Sequence, residues 1–172
     1  MPTGLLGKLP AHGDFLRRAL PEDFCLPWDA WLQDGLTEAR EALGEDGFAE
    51  AWEAGPAWRF LLPAGACGID RIAGVILPSE DMVGRRFPLT LAATLPAAAP
   101  APAEDWYAAL EAAGRAARAL GQDADTLLAA LAEPWTDDTA PPEGWWVAPD
   151  AHWPLPELPP PLLFRVLVEG GA

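Results

Sequence analysis

Lysine, serine and asparagine are almost missing from this 172-residue chain: Lys8 is its only lysine, Ser79 its only serine, and asparagine does not occur. Ten arginines supply the remaining cationic side chains, and against 26 carboxylates they leave a formal net charge of −15. That balance excludes nucleic acid and anionic membrane surfaces as expected partners, because both are held by Lys and Arg neutralising phosphates. Scarcity extends to cysteine. Cys25 and Cys67 form no C-x-x-C pair and have no set of histidines spaced for zinc, so they read as two buried, reduced thiols. The opening "MPTGLLGKLP" lacks the apolar run of about 7–15 residues of a secretory leader, and no window approaches the roughly 18 apolar residues of a membrane span. The expected location is the cytoplasm, with no membrane insertion.

What the chain does hold is a core. Hydrophobic residues make up 51 % of it, with nine tryptophans, and a single domain of about 150 residues buries roughly 68–70 % of its unfolded surface. The charge is uneven: residues 22–53 and 101–157 each carry about −9, whereas residues 56–100 are close to neutral. The composition, rich in alanine, proline and arginine, is that of a GC-rich genome. No internal repeat is visible.

Thr3 to Leu9 reads as a first strand stopped by Pro10 and Gly13. After Pro21 and Pro27, Phe24, Trp28, Trp31, Leu32, Leu36, Ala39 and Leu43 recur at helical spacing, and Gly44 ends that helix. A shorter helical piece, "FAEAWEA", follows with Phe48 and Trp52 on one side. The near-neutral centre reads as sheet over 57–63, 71–78 and 85–95, joined by short Gly- or Pro-containing turns that suit antiparallel neighbours. Pro88 marks a strand start or an edge. Trp106, Leu110, Ala113, Ala117 and Leu120 make the stripe of a helix ended by Gly121, and Asp123 or Asp125 caps another that stops at Pro134. "GWWVAP" and "PLLFRVLVEG" read as final strands, divided by a proline-dense loop from Pro149 to Pro161. This order gives one α/β domain over residues 1–172, an αβα sandwich with a mixed, largely antiparallel sheet flanked by helices.

Sites for chemistry are few. "GLLGKL" is not a phosphate loop, since Gly4 is two residues too close and Leu9 stands where a hydroxyl must hold magnesium. Ser79 lies in "LPSEDMVG" rather than a G-x-S-x-G elbow and reads as a turn residue or cap, although a hydrolase would have to use it with His12 or His152 and an acid such as Asp14. Glu80 and Asp81 lack the further oxygen ligands of a cation site, and Arg85 and Arg86 offer them a local ion pair instead. No cofactor is expected. Trp28, Trp31, Trp52 and Trp106 read as core first and interface anchors second, while Trp145, Trp146 and Trp153 are placed to form a groove for a partner in the proline-rich segment.

Three blocks in order, "GLLGKLPAHGDFLRRALPEDFCLPWDAWLQDGL", "AWRFLLPAGACG" and "AGVILPSEDMVGRRFPLTLAA", resemble the TagF (ImpM) proteins of bacterial type VI secretion. The resemblance runs from about Gly4 to Ala93. It falls on Gly7, Lys8, Leu9, Pro10, Gly13, Asp14 and Phe15, on Pro27, Trp28 and Trp31, on Trp58, Arg59 and Phe60, and on Pro78, Ser79, Asp81, Gly84, Arg85, Phe87 and Pro88. It implies a cytoplasmic, non-enzymatic post-translational regulator, a repressor of secretion that binds a protein of that pathway, with a forkhead-associated scaffold protein as the candidate. Relatives are in some cases fused to a phosphatase, for which this length leaves no room, so the resemblance implies the stand-alone form. Alternatives are an adaptor or assembly chaperone of the same system, or a hydrolase using Ser79. Charges within apolar, turn-forming blocks are normally paired. The loops at 8–15 and 78–88 are therefore expected to pack side by side, with Lys8 meeting Asp14 or Asp81 and Arg85 meeting another carboxylate.

Overall fold

The structure, a computed structural model, describes residues 1–149 and 151–170. Its strands are β1 (Gly4–Gly7), β2 (Leu16–Arg18), β3 (Trp58–Leu62), β4 (Arg71–Leu77), β5 (Leu89–Leu95), β6 (Gly144–Val147) and β7 (Ala151–Trp153). Its helices are α1 (Glu22–Ala54), α2 (Glu104–Leu120), α3 (Ala124–Ala130) and α4 (Phe164–Glu169). The strands form one sheet in the order β2-β1-β5-β4-β3-β6-β7, and every described pair is antiparallel.

The period of two along the central strands divides the interior. Trp58, Phe60, Leu62, Ile72 and Ile76 face the cluster under α1 and α4, whereas Leu61, Ala73, Val75, Leu77, Leu91 and Ala93 face the cluster under α2 and α3. Both faces of β3, β4 and β5 are covered, which explains their nearly unbroken apolar runs. This is the expected αβα sandwich, with a wholly antiparallel sheet among the described residues.

The helix ending at Gly44 and the shorter helical piece after it are both present: α1 consists of two helical segments that meet at a kink, where Gly44 has non-helical angles (φ 71, ψ 165). Phe48 and Trp52 of the second segment join the same buried cluster as Trp28 and Leu36. Three local readings change. The run 85–95 becomes a strand only from Leu89. Glu80 and Arg86 pair as an isolated bridge that closes a turn, and Pro88 precedes the strand without contributing an N–H to the ladder. The expected final strand at 161–170 is instead a 3-10 turn at Pro161–Leu163 followed by α4. Phe164, Leu167 and Val168 share one helical face and bury it against α1, a spacing that a short apolar run does not distinguish from a strand. Finally, β7 lies in the stretch read as a proline-dense loop, and β2 in a stretch to which the sequence pattern assigns no element. They are three residues each and sit at the two sheet edges, too short for a period-two pattern to register.

Two glycines are set by close approach. A Cβ on Gly35 would lie 2.2 Å from the Phe164 ring, so the approach of α4 to α1 leaves no room for a side chain at that position. A Cβ on Gly7 would lie 2.0 Å from the Pro88 carbonyl oxygen, and its φ of +129 also favours glycine.

Candidate functional site

The end of β1 and the start of β5 are neighbours in the sheet, and this brings together the loops that leave them. Residues 8–15 begin with a turn in which the His12 N–H donates to the Leu9 carbonyl (3.0 Å), with Pro10 at the position whose φ a proline presets. The second loop, 78–88, folds as a hairpin around Asp81. Its Gly84 N–H donates to the Asp81 carbonyl (3.0 Å) and Gly84 takes a left-handed φ of +81.

The loops are joined by four bonds. Lys8 Nζ donates to Asp81 Oδ2 (3.1 Å), Arg85 donates through a terminal nitrogen to the Gly13 carbonyl (2.9 Å), the Met82 N–H donates to the His12 carbonyl (2.8 Å), and Ser79 Oγ donates to the Lys8 carbonyl (2.8 Å). Phe15 packs edge-on against Phe87 with ring centroids 5.3 Å apart. The expected side-by-side packing is present, and the lysine's partner is Asp81. Asp14 is exposed and holds neither cation. Arg85 does not meet a separate carboxylate: its Nε donates to the same Asp81 Oδ2 (2.7 Å). One carboxylate serves both because Asp81 is the buried one, whereas Asp14 faces water and gains little from pairing.

Asp81 is saturated. Besides the two cations on Oδ2, its Oδ1 accepts the Val83 and Arg85 N–H groups, each at 3.0 Å. Burial by itself would raise the pKa of this carboxyl, but the Arg85 N–H, the Lys8 ammonium, the Arg85 guanidinium and the Val83 N–H outweigh it and hold the group well below the usual carboxylate range. With both oxygens occupied, it is not available to a metal ion. Among the described residues no cluster of three or more His, Cys, Asp or Glu is arranged to hold one.

Ser79 is fully buried. Its hydroxyl donates to the Lys8 carbonyl, and its own carbonyl accepts the Trp52 Nε1–H (3.0 Å) and the Phe87 N–H (3.2 Å). His12 does not touch it: His12 Nε2 accepts the N–H of Ala124 at the start of α3 (2.9 Å). His152 lies on edge strand β7, at the far side of the sheet from β1. No nucleophile, base and acid converge here.

The remaining residues of the three blocks lie elsewhere. Trp28, Trp31 and Phe60 form an aromatic stack with Trp145 under α1, with centroids 4.9–6.1 Å apart. Each indole N–H is satisfied: Trp28 by Thr90 Oγ1 (2.9 Å), Trp31 by the Pro159 carbonyl (2.7 Å) and Trp58 by the Leu167 carbonyl (2.8 Å). Arg59 points to the opposite face, where its guanidinium bridges Glu104 and Glu111 of α2. Trp145 is a core residue, Trp146 is buried but lines an open groove with Pro141, Pro142 and His152, and Trp153 is half-buried against Trp58. The residues missed by sequence reading are Arg40, which reaches the 78–88 loop from α1, and Trp52, whose indole pins Ser79. Arg40 is the lone cation of a strongly acidic helix, which is the one signal that singles it out.

An open groove of about 660 Å³ lies between α1 and these loops, with Lys8, Phe15, Arg85 and Phe87 among its walls. No helix of the described residues is long and apolar enough to cross a membrane.

A search of curated proteins finds no significant match. The crystal structure of PA0076 from Pseudomonas aeruginosa PAO1 superposes with a TM-score of 0.82 at 27 % identity, covering 98 % of this chain and 94 % of that one. The model of the TagF N-terminal domain, described as type VI secretion system-associated, matches residues 4–133, which include both loops and all three blocks. The chain with this saturated Lys8–Asp81–Arg85 junction therefore belongs to the type VI secretion-associated TagF family.

Proposed function

We propose that this chain is a cytoplasmic, non-enzymatic regulator of type VI secretion that represses the system post-translationally by binding one of its regulatory or assembly proteins. One observation carries the mechanism. The groups that would do chemistry are used up inside the fold: both Asp81 oxygens, the Ser79 hydroxyl and the His12 Nε2 are all bonded to protein. A fully bonded junction of this kind holds two loops rigidly and presents their outer surface. It supports recognition, which needs a preorganised face, rather than turnover, which needs a free nucleophile or base.

The family points to a forkhead-associated scaffold protein as the candidate partner. The test is deletion of the gene, with a secreted component of the system measured in the culture supernatant. Increased secretion is expected. Lost secretion would favour an adaptor or assembly chaperone, and unchanged secretion would overturn the regulatory reading.

A further inference from the structure

The few cations of this acidic chain are gathered. Of its eleven Lys and Arg residues, four line the groove beside the junction, Lys8, Arg40, Arg85 and Arg86, against two carboxylates, Asp29 and Glu45. Asp81, beneath them, pairs with both Lys8 and Arg85. The other two have little. Arg40 makes no ion pair among the described residues; its guanidinium sits 4.8 Å above the Phe48 ring and reaches the Arg86 carbonyl at 3.5 Å. Arg86 comes no closer than 3.8 Å to Glu53, whose other oxygen is held by Arg118 at 3.2 Å, and the buried Arg86 Nε has no hydrogen-bond partner. A buried donor without an acceptor is unfavourable, and an incoming carboxylate that draws the Arg86 guanidinium toward it can relieve this.

Exposed apolar side chains adjoin these cations. Phe15, Met82 and Val83 are 43, 62 and 69 % exposed, Phe15 in the groove wall and the other two at the tip of the 78–88 turn. Cations beside such a rim match one chemistry best. A phosphate ion would use the arginines and ignore the rim, and so would the backbone of a duplex nucleic acid, which is held through its phosphates. An acidic protein segment with an apolar side chain uses both. Over contacts shorter than the Debye length of about 8 Å, the local charge of the groove decides, not the charge of the whole chain.

We infer that this groove is the docking surface for an acidic segment of a protein partner, an inference that rests on the regulatory reading above. Arg40 and Arg86 receive the carboxylates, while Phe15 receives the apolar side chain.

The test uses a short synthetic peptide of glutamates flanking leucines, its lysine counterpart and inorganic phosphate. Each is titrated into the full chain while the Nε–H NMR signals of the arginines are followed. The glutamate peptide is expected to shift Arg40 and Arg86, and the lysine peptide to leave them in place. Arg86→Gln should weaken the glutamate peptide by about fivefold and Arg86→Glu by more than about tenfold. If Arg86→Glu does not fold, Arg40→Gln carries the same expectation. No shift, an equal shift with inorganic phosphate, or unchanged affinity in folded variants would each overturn the proposal. In the deletion strain, wild type should restore repression and Arg86→Glu should not. If both restore it, the groove is wrong and the regulatory reading stands; if wild type has no effect on secretion, the regulatory reading itself fails.

Discussion

Replacing Lys8 by methionine removes the ammonium from the Asp81 junction while keeping most of the stem that packs between the loops. The Lys8 side chain is 17 % exposed and its Nζ lies 3.1 Å from the carboxylate, so the bond is largely shielded from water. A hydrogen bond to a charged group contributes about 1.5–3 kcal/mol net. The lower end applies to Lys8, because the carboxylate keeps its two N–H donors and the Arg85 guanidinium after the substitution. Arg85 is 64 % exposed and contributes less on its own account. A loss of about 1.5–2 kcal/mol lowers the Tm of a domain of this size by roughly 3–8 °C.

The pH dependence carries the stronger test. The folded Asp81 pKa is depressed below its unfolded value, so its contribution is fully present above the unfolded carboxylate pKa of about 3.9 and is lost as pH falls from there through the folded value. Because the unfolded carboxyl is the same in both proteins, the Tm gap between wild type and Lys8→Met should be full at pH 7 and narrow only as pH falls well below about 4, where the folded Asp81 begins to take up its proton. Thermal unfolding followed by circular dichroism across that range measures it. A gap that stays constant from neutral to acid pH, or one smaller than about 1 °C at pH 7, would refute the assignment of Lys8 to a shielded ion pair with Asp81.

Three further expectations follow from the packing. Gly35→Ala places a methyl group 2.2 Å from the Phe164 ring and should cost about 1–3 kcal/mol, with faster amide exchange confined to residues 164–169; equal exchange in both proteins would count against the α1–α4 contact. Arg59→Met removes a guanidinium that is 8 % exposed and leaves Glu104 without an ion-pair partner and Glu111 with Arg115 alone, a loss of about 1–2 kcal/mol after allowing for the exposure of those acids; because Arg59 lies across the sheet from the groove, peptide affinity should not change, and a tenfold loss would show that the groove is not the binding face. Burial pushes the Cys67 thiol up to about 12 and raises that of Cys25 as well, so a thiol reagent at pH 8 should label neither in the native protein within minutes and both in guanidinium; prompt native labelling would contradict their placement.

Local pattern and family blocks made much of this chain readable in advance. The tryptophan-rich stripe of α1, the helix of Trp106 to Leu120, the αL stop at Gly121 and the cap by Asp123 all depend on spacings of three or four residues, over which side chains and backbone groups meet directly. The two edge strands and α4 were not readable, because three to six residues cannot display a period and an apolar run suits either structure. Arg59, Trp58 and Phe60 look like one motif in the chain, yet they face opposite layers, since a strand turns successive side chains to opposite sides.

By itself, the sequence determined that a core this rich in tryptophan would fold as layered α and β structure and that its one lysine sat in a block too apolar to leave a charge alone. Only the tertiary structure decided which acid that lysine meets. Asp14 is six residues away and Asp81 is 73, and the distant one wins because antiparallel pairing of β1 with β5 sets the two loops against each other and buries Asp81 beneath them. The same pairing lays the 78–88 loop along α1, where Arg40 and Arg86 meet at one groove. The meeting of these two charges is set by sheet register, which no local spacing records.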